Sequence, residues 1–311
     1  MEVWGGSQLT SQCVEIGGLD AWVYSRPYGD DPQGGDVYYA SNCATGRISR
    51  LLLADVAGHG MRVATIATDL RALMRRFVNR LDQAEFVSLL NQQFGQLSRD
   101  GAFATAIVTT FFAPTRRLMV CNAGHPRPLI YRARERTWNL LGDDASGDRG
   151  LSNLPFGILD ALHYEHSDVE LDPGDCILAY TDPLIESNDV HGNMLGEKGV
   201  LRVLQGFANH EPSKLIHALL EEIGKQCTEN LCTDDVTVLL IRANGRTPRV
   251  PISEKITAVS RFLGTLIRSV NPRAERAPFP DANLANLGGA ILPVLAKTWR
   301  ARANRQSPLT R

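Results

Sequence analysis

Aspartates punctuate the apolar stretches of this 311-residue sequence at points where a chain would enter or leave a β-strand. "GGDVYY" puts Asp36 beside two glycines at a strand start, and "LLLADVAGHG" puts Asp55 at the end of an apolar run. "ILAYTDP" ends on Asp182, and "CTDDVTVLL" opens on Asp234 and Asp235. A single aspartate in such a position is ordinarily a turn residue bonded to nearby backbone. Four such places in one domain raise a different chemistry. Strand ends on one edge of a sheet would gather the carboxylates into a pocket, where they repel unless one is protonated or a cation lies between them. Oxygen ligands without His or Cys select a hard ion, Mg²⁺ or Mn²⁺ in preference to zinc. Spacing alone leaves the convergence open, because the four places lie far apart in the chain.

Asp55 poses the sharpest case. A charged carboxylate beside a core strand costs several kcal/mol, of order 2–7 even for a neutral polar group, unless something cationic faces it. It either caps the helix that follows or holds a metal or a basic partner. The elements that would position it are legible. From Met61, apolar residues at Val63, Ala67, Leu70, Met74 and Phe77 form one helical stripe. A second helix opens at "DQAE", with Asp82 and Glu85 as a capping box and Phe86, Leu89, Leu90 and Phe94 as its buried face. "FATAIVTTFFAPTRRLMVCNAG" reads as a hairpin, and "RPLIYR" as a third strand of the same meander. "DCILAYTD" and "DVTVLLIR" are short buried strands separated by the amphipathic helix "SKLIHALLEEIGKQ". Hairpin strands with grouped helices predict an α+β fold, helices packed on antiparallel sheets, rather than a doubly wound parallel one.

Composition sets the outer bounds. With 43% hydrophobic and 22% charged residues the chain can bury a sizeable core. Its six cysteines form no CxxC pair, Cys227 and Cys232 included, which argues against a thiolate zinc site; with no evident signal peptide, cytoplasmic, reduced thiols are expected. The net charge of −1 hides an asymmetry: residues 246–311 carry 12 Lys/Arg against 3 Asp/Glu. "RANGRTPRVP" marks the boundary, giving a domain over 1–245 and a basic extension over 246–311.

Taken in order, "GGDVYY", "LLLADVAGHG", "NAGHPRPLIY", "LPFGI", "LDPGDCILAYTD" and "DDVTVLLIR" resemble the metal-dependent protein phosphatase family, type 2C. The similarity is greatest to the bacterial branch of sporulation and general-stress phosphatases (SpoIIE-like), and it covers roughly residues 15–243. The resemblance implies two stacked antiparallel sheets flanked by helices, an α-β-β-α sandwich, with two Mn²⁺ or Mg²⁺ ions at one edge. It implies that Asp55 bridges both ions, that the Val56 carbonyl ligates one of them, and that Asp182 and Asp234 hold the second. Asp36 would reach the metals directly or through a water; Asp234 is favoured over Asp235 because the first acid of the pair is the family's ligand. The implied reaction is hydrolysis of phosphoserine or phosphothreonine by a metal-activated water, with Asp55 and Asp36 as catalytic residues. By the same analogy the partner is a phosphorylated regulator such as an anti-sigma-factor antagonist.

Other residues admit plainer readings. Arg26, ten residues before Asp36, is a candidate phosphate ligand set against an ordinary surface arginine. His59 reads as a turn or packing residue rather than a general acid, and His125 as part of a turn built by Asn122, Gly124 and Pro126. The glycines around His59 lack the spacing of a nucleotide loop. Pro183 stands where the family usually has glycine. A turn needing positive φ would not form unchanged with proline, which would displace Asp182 and weaken the second metal; the other aspartates still favour an active enzyme, with a non-catalytic phosphoprotein-binding module as the alternative. In the extension, Ile252, Ile256, Val259, Leu263, Leu266 and Val270 share one helical face; no nucleic-acid partner is expected. Such a cationic amphipathic segment can lie on an anionic membrane, contact a partner or pack on its own domain.

Overall fold

Strand periodicity decides the layers. Leu19–Arg26 buries every second side chain, whereas Ile48–Val56 buries almost all of them, so the first lies near a sheet margin and the second is covered on both faces. The computed structural model describes residues 2–246 except 30, 44–45, 59–60, 79, 81, 98–100, 143–153, 161 and 209. Within these residues the strands form two six-stranded sheets. The first runs β1 (Glu2–Gly6), β4 (Asp36–Asn42), β5 (Ile48–Val56), β6 (Ala104–Phe112), β7 (Arg117–Ala123), β10 (Ser167–Glu170). The second runs β2 (Thr10–Ile16), β3 (Leu19–Arg26), β12 (Val236–Ala243), β11 (Cys176–Tyr180), β8 (Leu129–Arg132), β9 (Thr137–Leu140). The strand neighbours pair antiparallel throughout, as the hairpin-rich sequence predicts.

Three apolar layers hold the sandwich. Between the sheets lie Tyr38, Leu51, Leu53 and Ile107 from one side and Ala21, Val23, Ile177 and Leu239 from the other. The opposite face of the first sheet, with Leu52, Ala54 and Val108, packs on α1 (Met61–Phe77) and α2 (Gln83–Leu97) through Leu70, Met74, Phe86 and Leu90. The outer face of the second sheet packs on α3 (Pro183–Glu186), α4 (Gly196–Gln205) and α5 (Pro212–Gln226). This is the α-β-β-α arrangement, with one core between the sheets and one under each helical layer. No helix among the described residues is long and apolar enough to cross a membrane.

One sequence expectation needs correction. "RPLIYR" is not a third strand of the β6–β7 meander: β8 crosses to the second sheet and pairs with β9 and β11. The turn before it forces the change. The Asn122 side chain donates to the His125 carbonyl and accepts from the His125 N–H, both at 2.8 Å, and Gly124 takes φ 68°. Pro126 and Pro128 then supply no ladder N–H. At α2 the expected capping box is seen where Asp82 Oδ1 accepts the Glu85 N–H at 2.8 Å, and Glu85 also pairs with Arg80. The six cysteines are all free thiols.

Candidate metal centre

At one end of the sandwich the inter-sheet core changes from apolar to polar. The inward positions that carry Val23, Leu239 and Ala179 along their strands carry Ser25, Thr237 and Thr181 at this end. Ser25 and Thr237 hydroxyls meet at 3.0 Å. Thr181 Oγ1 accepts the Thr237 N–H at 2.9 Å and donates to Asp36 Oδ2 at 2.9 Å. These groups are buried, and they form the floor on which the acids stand.

Strand register brings the first two acids together. Asp36 opens β4 and pairs directly with Asp55 near the end of β5, which pairs in turn with Thr105 of β6, so the three side chains share the inner face. From the second sheet, Asp182 follows β11, Asp234 and Asp235 precede β12, and Glu186 ends α3. Asp36 is only 2% exposed, Asp55 and Asp182 are half-buried, and Asp234 and Glu186 face solvent, so the cluster opens outward. Burial and the neighbouring Asp55 push the Asp36 carboxyl well above the usual carboxylate range. Burial, then Asp182 and Asp234, push Asp55 up to about 7. Asp182 is raised by burial, Glu186 and Asp234. Each of these carboxylates raises or is raised by another, which places Asp36, Asp55, Asp182 and Asp234 in one electrostatic field.

Such a field calls for a positive counter-charge, and the donor set fits a hard divalent cation. Asp36 Oδ1 is buried without a hydrogen-bond partner. Buried carboxylate oxygens of that kind are satisfied by a proton or a cation. Among the described residues no three Asp, Glu, His or Cys side chains stand close enough together to hold an ion by themselves.

Asp235 has a different task from its neighbour. Its Oδ1 accepts the Tyr28 N–H at 2.6 Å, and its Oδ2 accepts from the N–H groups of Gly35 and Asp36. It therefore pins the β3–β4 loop and sets Asp36 in place, while Asp234 remains on the open side. Glycine at 34 and 35 permits this approach. A Cβ on Gly34 would lie 2.3 Å from Asp235 Oδ2, and one on Gly35 would lie 2.7 Å from Val63 Cγ1 and 2.8 Å from the Val56 carbonyl oxygen. The Val56 carbonyl thus sits against the same loop, beside Asp55.

Pro183 does not demand the rearrangement expected of it. Asp182 has φ −50° and ψ −38°, and Pro183 occupies the first position of α3, where a missing N–H costs nothing. Asp182 instead accepts the Ile185 and Glu186 N–H groups through its backbone carbonyl, at 2.9 and 3.0 Å. Arg26, at the end of β3, donates Nη2 to the Leu231 carbonyl and so braces the loop that leads into Asp234. His125 is buried with Nδ1 2.8 Å from Thr105 Oγ1, and burial lowers its pKa to about 3, which keeps it neutral. His59 lies outside the described residues, as does the whole extension beyond Arg246.

Two contributors escaped the sequence reading. Glu186 reaches the cluster because "DPLIE" closes one helical turn, bringing the fourth residue after Asp182 back beside it. Thr181 adjoins a noted aspartate, yet its importance depends on a hydrogen bond to a residue 145 positions away.

Comparison with known proteins follows the same lines. The family model described as Stage II sporulation protein E (SpoIIE) matches residues 46–244. The fold is similar to the RsbU and RsbW domains of Rv1364c from Mycobacterium tuberculosis, at 22% identity and TM-score 0.61, covering 84% of this chain and 71% of that one. It is similar to the PP2C phosphatase domain and regulatory-domain fragment of SpoIIE from Bacillus subtilis, at 18% identity and TM-score 0.61, covering 76% of this chain and 66% of that one. It also resembles the catalytic domain of the serine/threonine phosphatase PstP in complex with two manganese ions, at 17% identity and TM-score 0.50, covering 72% and 97%.

Proposed function

The chain belongs to the stage II sporulation protein E (SpoIIE) family of type 2C phosphatase fold, and on that premise we propose that it is a metal-dependent protein phosphatase hydrolysing phosphoserine or phosphothreonine. One observation carries the reading: acids from four separate strand ends converge on one solvent-facing field, with a buried, partnerless oxygen on Asp36. Two Mn²⁺ or Mg²⁺ ions would be held by Asp55 and the Val56 carbonyl together with Asp182, Asp234 and Asp36. When bound, such ions act as Lewis acids that activate water and offset charge on phosphoryl oxygens.

The chain's own residues supply the rest. Thr181 fixes one Asp36 oxygen and leaves the other turned to the site. Asp235 ties the β3–β4 loop to the start of β12, and the Gly35 carbonyl accepts the Val56 N–H of β5, which together hold Asp36 beside Asp55. Arg26 braces the loop that leads into Asp234 through the Leu231 carbonyl, and we retain it as the candidate phosphate ligand. Pro183 at a helix start lends no support to a non-catalytic module. We further propose that residues 1–245 form the catalytic domain, that the protein works in the cytoplasm, and that its substrate is a phosphorylated regulator of the anti-sigma-factor antagonist kind. The basic extension, residues 246–311, is proposed as a regulatory or peripheral membrane-contacting segment.

The test is hydrolysis of p-nitrophenyl phosphate with and without Mn²⁺. Turnover should require the metal and should fall in Asp55→Ala by more than the roughly 10–100-fold typical of losing a group behind the ligands. Pro183→Gly should gain nothing. Metal-independent turnover, or an inert wild type with activity only in Pro183→Gly, would overturn the proposal.

A further inference from the structure

The described residues leave eight large apolar side chains exposed, and all of them lie on loops or helix ends at the acidic end of the sandwich. Leu9 is in the β1–β2 turn, where the Ser7 carbonyl accepts the Gly34 N–H. Tyr28 is in the β3–β4 loop, with its N–H on Asp235. Val190 (70% exposed) and Met194 lie between α3 and α4, in the loop closed by the Asn188–Met194 bridge just beyond Glu186. Phe103 and Ile158 occupy the remaining side, flanked by Leu97 and Leu159. The opposite end of the sandwich carries none among the described residues. Scattered apolar residues on a surface need no explanation, but their confinement to the rim of one acidic opening does.

We infer that this rim is a docking surface for the polypeptide around the phosphorylated residue, and that it selects segments with apolar side chains two or three positions from the phosphoserine. The inference rests on the phosphatase reading and names the substrate class for that site. Strand spacing gives the reach. Ala104 pairs with Val56 on one side and with Phe156 on the other, so Phe156 lies about 10 Å from Val56, two spacings of roughly 4.8 Å. Phe103, whose carbonyl accepts the Ala57 N–H at 3.0 Å, is one spacing closer. An extended substrate advances about 3.3 Å per residue. Its second and third residues from the phosphoserine therefore reach about 7 to 10 Å, as far as Phe103 and the Phe156 backbone, and Ile158 follows Phe156 by two residues. Exposed Asp234 and Glu186 at the same end make an anionic lipid surface a poor occupant.

Two phosphoserine peptides of equal length test this, one with Leu, Phe and Ile two and three residues from the phosphoserine, the other with Lys and Glu there. Both are assayed with Mn²⁺ beside p-nitrophenyl phosphate, on wild type and on the double variant Phe103→Ser, Ile158→Ser. The apolar peptide should show a kcat/KM about tenfold or more higher, the worth of one buried apolar side chain. The double variant should lose that advantage through KM while its turnover of p-nitrophenyl phosphate stays unchanged. Equal kcat/KM for the two peptides overturns the inference and leaves the phosphatase reading standing. Inert p-nitrophenyl phosphate removes the phosphatase reading instead. Fluorescence anisotropy of the same peptides then decides the rim alone, a shared affinity counting against it. Sedimentation with phosphatidylglycerol vesicles that is lost in the double variant would reassign the rim to lipid.

Discussion

Asp55 faces Asp36 across the β4–β5 pair and shares a field with Asp182 and Asp234, and its raised pKa follows from that company. The consequence for stability has a definite sign. An aspartate in the unfolded chain titrates near 3.9, whereas Asp55 in the folded protein titrates at about 7. Between those values the folded state binds more protons than the unfolded one, so its stability is greatest at the acid end and declines as pH rises. Asp36 and Asp182, both raised, act in the same direction. In EDTA, Tm should fall from about pH 4 to about pH 7 and then level. Asp55→Asn should flatten part of that fall, and added Mn²⁺ should restore Tm most at the higher pH, as calorimetry can follow. A metal-free Tm that climbs across this range would contradict the cluster.

The β3–β4 loop is the element on which the site's geometry depends most, and two adjacent aspartates divide the work around it. Asp235 is buried and receives three backbone N–H groups; Asp234 is exposed and receives the N–H of Asp235. Asp235→Asn turns one acceptor oxygen into a donor facing N–H groups and should cost about 1–3 kcal/mol of stability, the usual penalty for stranding a buried polar group. Asp234→Asn should leave urea unfolding within about 0.5 kcal/mol of wild type, as surface substitutions do. Titration calorimetry with Mn²⁺ should nevertheless show the larger direct loss of affinity in Asp234→Asn. Equal unfolding curves for the two variants would show that Asp235 does not anchor the loop. The family resemblance favoured Asp234 as the ligand, but what Asp235 does was seen only where the loop meets the strand start.

Across the whole molecule, charge is divided between an acidic body and a basic extension of 12 Lys/Arg against 3 Asp/Glu. The described body already closes its three apolar layers, with β12 as an interior strand that ends at Ala243. A chain ending at Arg246 should therefore unfold cooperatively, with Tm within a few degrees of the full chain, and should keep Mn²⁺-dependent hydrolysis of p-nitrophenyl phosphate. Loss of cooperative unfolding would mean that the extension completes the core.

Residue types and local periodicity alone determined the α+β class, the span of α1, the buried face of α2 and the five aspartates worth watching. These depend on neighbours within a turn or a strand, where spacing translates directly into geometry. The crossing of β8 to the second sheet was not legible, because an extended strand looks alike in either sheet until its turn is seen. Nor was the anchoring of the β3–β4 loop by Asp235, the bond from Thr181 to Asp36, or the entry of Glu186 through the single turn of α3. Each joins groups far apart in the chain or depends on a turn's closure, and such contacts acquire direction only once both sheets have packed. Tertiary structure also decided the meaning of Pro183, since a proline that would obstruct one turn fits the first position of a helix without strain.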